Sequence, residues 1–212
     1  MIIERLLTAL CLTVTVGLTL PGSAAAQHAQ AGVAPYERGD YAEAIAIWRP
    51  LAESGDSDAQ HNLGVIFENG QGVARDYAEA ARWYRLAADQ GDPKAQSNLG
   101  VLYGQGSGVP QDNAEAARWY RLAADQGNAP SQYNLAVSYL HGVGVRQDGR
   151  EAARWLRRAA DQGLADAQFA LGDCYANGWG VGRSMANAII WYGLAEQQGH
   201  LGAREALRRR RR

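Results

Sequence analysis

Cysteine is nearly absent from this chain: Cys11 and Cys174 are the two it has. Cys11 falls in an apolar N-terminal run that reads as a removable leader. The mature chain then keeps Cys174 alone and closes no intramolecular disulfide, so the fold must hold by packing. Cys174 reads as a small hydrophobe on a helix, a common state for free cysteine. Lysine is scarcer still. Lys94 is the single one, with Gly91 three positions before it, so the Ser-x-x-Lys pair in which lysine activates a serine nucleophile is missing. His28, His61, His141 and His200 lie far apart in the chain, without the close spacing of metal ligands. No metal site and no cofactor are expected, and no phosphate-binding loop stands out. Charge of one sign is lacking too. The 21 Lys and Arg against 22 Asp and Glu leave a net charge of −1, with 47% of residues hydrophobic, which suits a folded chain and not a disordered or fibrous one.

Long hydrophobic runs are missing apart from one. Leu6–Leu20 is apolar for ~15 residues, short of the ~20 that span a bilayer. Arg5, offset by Glu4, precedes it, and Pro21-Gly22-Ser23 and Ala24-Ala25-Ala26 follow. This order predicts a secretory signal peptide over residues 1–26 and a mature chain starting near Gln27, in the bacterial periplasm or secreted beyond it. Leu10 stands before Cys11 where a lipoprotein signal needs a small residue, which argues against a lipid anchor.

What the chain has in abundance is itself. Ala80–Gly91 reads AARWYRLAADQG, Ala116–Gly127 repeats it, and Ala152–Gly163 reads AARWLRRAADQG. Weaker copies occupy Ala44–Gly55 and Ala188–Gly199. A period of 36 residues signals stacked units that each bury an apolar face on their neighbours, and an extended surface in place of one catalytic cleft.

Each unit predicts two helices. In the unit from Tyr77, Asp76 stands as an N-cap with Glu79 three residues on, a capping-box arrangement; Asp40/Glu43, Asp112/Glu115 and Asp148/Glu151 repeat it. Ala80, Trp83, Tyr84 and Ala87 form one apolar stripe at 3,4 spacing. Gly91 is placed for a left-handed residue after the helix. Asp92-Pro93 opens a second helix carrying Ala95, Leu99, Leu102 and Tyr103. Small residues at 59, 95, 131, 167 and 203 permit close helix approach, and the Trp-Tyr pairs fill the space between units.

The ordered segments A-x-x-W-Y-x-x-A-A-x-x-G, A-Q-x-N-L-G and G-x-G-V resemble the Sel-1-like repeat family, a relative of the tetratricopeptide repeat. The resemblance covers residues 40–212, after a lead-in segment at 27–39, with units from Tyr41, Tyr77, Asn113, Gly149 and Met185. It implies an all-α, right-handed superhelical solenoid of antiparallel helix pairs. It also implies a non-catalytic scaffold or adaptor that binds a protein or peptide in its groove. Some cysteine-rich members have been called β-lactamases, so a β-lactam or cell-wall hydrolase is the alternative; the missing Ser-x-x-Lys and the missing paired cysteines discriminate against it. The chain departs from the pattern in places. Ile47 and Trp48 replace the Trp-Tyr pair and Pro50 interrupts the first helix. Leu156 replaces a tyrosine and Ala170 an asparagine. The fifth unit loses most of its second helix to Arg208–Arg212.

Three polar ladders are candidates for function. Asn62, Asn98 and Asn134 recur in the second helices. A carboxamide both donates and accepts, so the ladder suits the backbone of an extended peptide. It equally suits bonds between helices that support the stack. Arg82, Arg118 and Arg154, with Arg49, Arg85, Arg121 and Arg157, read as a solvated face paired at i,i+3 and i,i+4. The run Arg208, Arg209, Arg210, Arg211, Arg212 gives residues 204–212 a balance of +5 against −6 for the rest. It suits an anionic envelope surface, or the negative pole of a helix end. Nucleic acid is not expected as a partner.

Overall fold

The computed structural model describes residues 29–210. The expected leader, residues 1–26, and Arg211 and Arg212 lie outside the described residues. A short helix, α1 (Val33–Glu37), leads into five helix pairs: α2 (Tyr41–Glu53) with α3 (Ser57–Asn69), α4 (Tyr77–Asp89) with α5 (Pro93–Gln105), α6 (Asn113–Asp125) with α7 (Ala129–His141), α8 (Gly149–Asp161) with α9 (Ala165–Asn177), and α10 (Met185–Gln197) with α11 (Leu201–Arg210). Each helix packs on its chain neighbours, and the buried residues form successive clusters along the stack. The chain is therefore an all-α solenoid of helix pairs.

The caps explain where the helices start. Asp76 accepts from the Ala78 and Glu79 amides at 2.9 and 3.0 Å, and Asp112 and Asp148 do the same. The capping boxes are only half made. The Asp76 amide donates instead to the Phe67 carbonyl at 2.9 Å, which leaves the Glu79 carboxylate to take a two-pronged bond from Arg82 at 2.6 and 3.0 Å. Arg118 on Glu115 repeats this pattern. The guanidinium beside each holds the Glu79 and Glu115 carboxyls below the usual carboxylate range, against burial, which acts the other way. These exposed pairs bear out the solvated reading for Arg82 and Arg118.

The Arg85 ladder behaves differently. Arg85, Arg121 and Arg157 are half-buried. Each donates to a tyrosine 18 residues on: Tyr103, Tyr139 and Tyr175. Arg85 also lies 5.2 Å from the Trp119 ring and Arg157 4.9 Å from the Trp191 ring, both in the next unit. This ladder ties units together.

Close packing fixes the small residues. A Cβ added at Gly64, Gly100 or Gly172 would stand 2.4–2.7 Å from the ring of Tyr84, Tyr120 or Tyr192 on the following helix. Where the repeat has Ala136 in place of this glycine, it has Leu156 in place of the tyrosine. In the linkers, Gly108 and Gly144 combine φ near +70° with a backbone neighbour within 2.2 Å of any added Cβ, so both demands require glycine.

Two expectations are corrected. Pro50 does not interrupt α2, which runs through it to Glu53. Its ring is exposed and lies in the last turn, where one missing amide bond is tolerated. The second helix of the last unit is not lost: α11 extends through the arginines to Arg210. Arginine is a good helix former and favours the negative helix end.

A glutamine ladder, unread in the sequence, joins the units. Buried Gln60, Gln96, Gln132 and Gln168 donate to the carbonyls of Ala52, Ala88, Ala124 and Ala160 at 2.9–3.2 Å. Each accepts from a glutamine 30 residues on, Gln90, Gln126, Gln162 or Gln198, at 2.7–2.9 Å.

Candidate functional site

Helices α3, α5, α7, α9 and α11 lie along one side of the stack, and α3 touches α5 directly. Three repeat positions recur on this side of the stack, and their later members line the furrows between the helices. The first holds His61, Ser97, Tyr133, Phe169 and Glu205; the second Asn62, Asn98, Asn134, Ala170 and Ala206; the third Val65, Val101, Val137, Asp173 and Arg209. Helical spacing puts i, i+1 and i+4 on neighbouring parts of one face.

The furrow between α5 and α7 encloses about 410 Å³ among Val101, Tyr120, Tyr133, Asn134 and Val137. The next, between α7 and α9, encloses about 770 Å³ among Tyr133, Val137, Phe169, Ala170 and Asp173, with Trp179 from the following linker. A third of about 490 Å³ lies between α9 and α11, lined by Phe169, Asp173, Glu205 and Arg209. Tyr133 and Val137 border the first two, and Phe169 and Asp173 the last two. The three form one groove, mostly aromatic and aliphatic in the first two furrows and charged in the third, where Asp173 stands with Glu205 and Arg209. The Asp173 carboxylate accepts from the Tyr192 hydroxyl at 2.6 Å, which fixes its position. Trp179 is 52% exposed at the rim.

The asparagine ladder divides. Asn98 Nδ2 lies 3.4 Å from His61 Nε2, so it spans α3 and α5 and supports the stack. Asn62 lies within hydrogen-bonding reach of the same imidazole. Burial pushes the His61 pKa below its ordinary value; Asp92 and the bond with Asn62 oppose the shift in part. Asn134 borders the furrow between α5 and α7, where its carboxamide can meet a ligand backbone. The fourth position is Ala170, which widens the largest furrow.

Sequence reasoning missed Tyr133, Val137, Phe169, Asp173 and Trp179. A signal for most of them existed. In a chain that repeats itself so closely, most of these positions change from unit to unit: His61, Ser97, Tyr133 and Phe169 in one column, Gln71, Ser107, Val143 and Trp179 in another, and Asp173 after Val65, Val101 and Val137 in a third, where Val137 itself gave no signal. Packing residues repeat, whereas residues that meet an irregular ligand need not.

Other groups are accounted for locally. Cys174 is buried, and burial pushes its thiol up to about 11. His200 stacks on Phe169 at 4.5 Å and accepts from the Ala203 amide as the cap of α11. Lys94 is exposed. Among the described residues no group of three or more His, Cys, Asp or Glu could hold a metal ion, and no helix is long and apolar enough to cross a membrane.

A family model described as Sel1 repeat matches residues 57–92, 93–128, 129–164 and 165–200, well over half of the chain. Its units open at the α3-type helix, half a repeat out of step with units drawn from Tyr41. The packing follows the same phase, since α3 shares a larger interface with α4 than α4 shares with α5. Among solved structures, a protective antigen present in uropathogenic Escherichia coli strains, displaying an SLR fold, is 39% identical with a TM-score of 0.79. That match covers 84% of this chain and 39% of the antigen, so the chain spans about two fifths of that protein's length. A Sel1 repeat protein from Oxalobacter formigenes is 32% identical with a TM-score of 0.77, covering 82% of this chain and 72% of that one. An immunity protein from Pseudomonas aeruginosa, 23% identical with a TM-score of 0.54 over 86% of this chain and 69% of its own, shares the fold alone. No curated protein matches the sequence.

Proposed function

This chain belongs to the Sel1 repeat family, and from that premise we propose that it is an exported, non-catalytic scaffold holding an extended peptide segment of a partner protein in the groove along α5, α7 and α9. The observation that carries the reading is the continuity of three adjoining furrows from α5 to α11, with Tyr133, Phe169 and Trp179, which vary within an otherwise strict repeat, among their lining. A peptide places apolar side chains in the furrows beside Tyr133, Val137 and Phe169, with a basic residue toward Asp173. Its backbone meets the Asn134 carboxamide, which offers both a donor and an acceptor. Asn62 and Asn98 act through His61 and hold the helices that form the groove. Tetratricopeptide-type recognition of this kind needs no nucleophile, metal or cofactor.

The export reading rests on the order of residues 1–26. Sequencing the N-terminus of protein recovered from the producing cell tests it: a start near Gln27 supports export, and intact Met1 in a soluble cytoplasmic fraction opposes it. The exposed Arg208 and Arg209, with the rest of the arginine run, supply an electrostatic contact with the envelope.

A random peptide library displayed on phage tests the groove. Selection on the full chain yields peptides with a shared apolar–basic pattern. Trp179→Ser and Asn134→Ala weaken them, the latter by about 0.5–1.5 kcal/mol, while the melting temperature holds. Undiminished binding to both variants places the site elsewhere. Full affinity of Asn134→Ala with a clearly lowered melting temperature makes that residue structural.

A further inference from the structure

Departures from the repeat gather at one furrow, the one between α7 and α9. Where earlier units have Val65, Val101 and Val137, the fourth has Asp173; where they have Gln71, Ser107 and Val143, it has Trp179. Two other columns lose bulk at the same place. Ala170 follows Asn62, Asn98 and Asn134, and Gly149 follows Tyr41, Tyr77 and Asn113. Both line the furrow. Gly149 backs onto the linker that carries Trp179: an added Cβ would stand 3.1 Å from the Gly180 amide nitrogen. The result is the largest of the three furrows, about 770 Å³, with Tyr133, Phe169 and Trp179 as aromatic walls.

The furrow holds a negative charge with no fixed cation to answer it. Among the described residues that line it, Asp173 is the one carboxylate and none is lysine or arginine; His141 lies at its exposed edge. Arg209, which lines the next furrow with Asp173, pairs with Glu205. The Tyr192 hydroxyl binds Asp173 Oδ1 at 2.6 Å, so the carboxylate is held in one direction and offers Oδ2 as its second acceptor. A cation that enters exchanges water for aromatic rings. A guanidinium is weakly hydrated, stacks flat on a ring and meets a carboxylate through two parallel N–H bonds, whereas an ammonium is a strongly hydrated point charge. The chain uses the same pairing elsewhere: Arg157 lies 4.9 Å from the Trp191 ring while it donates to the Tyr175 hydroxyl.

We propose that the furrow between α7 and α9 is an arginine pocket. It takes one arginine side chain of the partner's segment, with the guanidinium paired to Asp173 and set against the Trp179 and Phe169 rings. The proposal rests on the reading of the groove as a peptide site and narrows that site to arginine over lysine. Asp173 and Trp179 set the specificity, and Gly149 and Ala170 make the room.

The test uses the full chain and three small probes: the N-acetyl methylamides of arginine, lysine and citrulline. NMR follows the tryptophan indole N–H signals, with that of Trp179 identified by its loss in Trp179→Ser. The arginine probe should shift the Trp179 signal saturably, at least ~10-fold more tightly than the lysine probe, and less tightly as salt is added. Citrulline keeps the shape without the charge and should not saturate. Asp173→Asn and Asp173→Val should each weaken the arginine probe at least ~10-fold. Valine is the residue of three earlier units, so the melting temperature of Asp173→Val should hold. Equal affinity for lysine, undiminished binding by Asp173→Val, or no saturable shift at tens of millimolar probe overturns the proposal. The phage selection judges the groove separately. Selected peptides that lack arginine yet depend on Asn134 would keep the groove and overturn the arginine pocket. A saturable arginine probe with no peptide selected would support the guanidinium pocket while overturning the peptide reading.

Discussion

At the scale of single residues, size matching is the plainest rule of this chain. Gly100 leaves the space that the Tyr120 ring fills, and Ala136 is matched by the smaller Leu156. Gly100→Ala should therefore destabilise by about 1–3 kcal/mol through overpacking. Adding Tyr120→Leu should recover much of that loss, because it recreates the pair already present at 136 and 156. Denaturant melts of the single and double variants decide, and a double variant no better than the single would break the rule. His61 offers a second check. Burial lowers its pKa in the folded chain, so the unfolded chain takes up the proton more readily. The stability that neutral His61 contributes is present above the ordinary histidine range and lost as the pH falls below it. Melting temperature should drop between about pH 7 and about pH 5 in the wild type, and drop less in His61→Gln. Equal slopes would mean that His61 is solvated.

At the scale of elements, the helices were legible before the structure because their signals are local. Apolar 3,4 spacing, an aspartate at most starts and a glycine after most ends need only one helix to be read. The exceptions were local rules that context overrides. Pro50 was given too much weight, since an exposed last turn tolerates it, and the arginine run too little, since arginine suits a helix end. The glutamine ladder was not legible for a different reason. Gln132 meets Gln162 from the next unit, and identity at every repeat looks the same whether a residue binds its neighbour or a ligand. Gln132→Leu removes a donor to the Ala124 carbonyl and an acceptor for Gln162. It should cost about 1–3 kcal/mol by leaving buried polar groups unmet. Adding Gln162→Leu should cost less than its own single effect, as expected of contacting residues. Simple additivity in chemical denaturation would show that the two do not share a bond.

At the scale of the whole molecule, the units hold one another. Trp119 is 2% exposed and lies in a cluster with residues of the unit before it. Trp119→Ala should cost about 3–5 kcal/mol, and the loss should spread to neighbouring units. A loss below about 1 kcal/mol would place the ring in solvent. The stack was readable from its period, but the groove was only half readable. The asparagine column divides, with Asn134 beside a furrow and Asn98 beside His61. Tyr133, Phe169 and Trp179 escaped notice because a search for repetition passes over the positions that do not repeat. The account's central claim is that a partner lies along α5, α7 and α9. A photo-crosslinking amino acid placed at Val137 in the groove, and separately at Arg118 on the exposed face of α6, tests it in intact producing cells. The account predicts one dominant protein adduct from Val137, weakened by Trp179→Ser, and little or none from Arg118. A strong adduct from Arg118 with none from Val137 would contradict it.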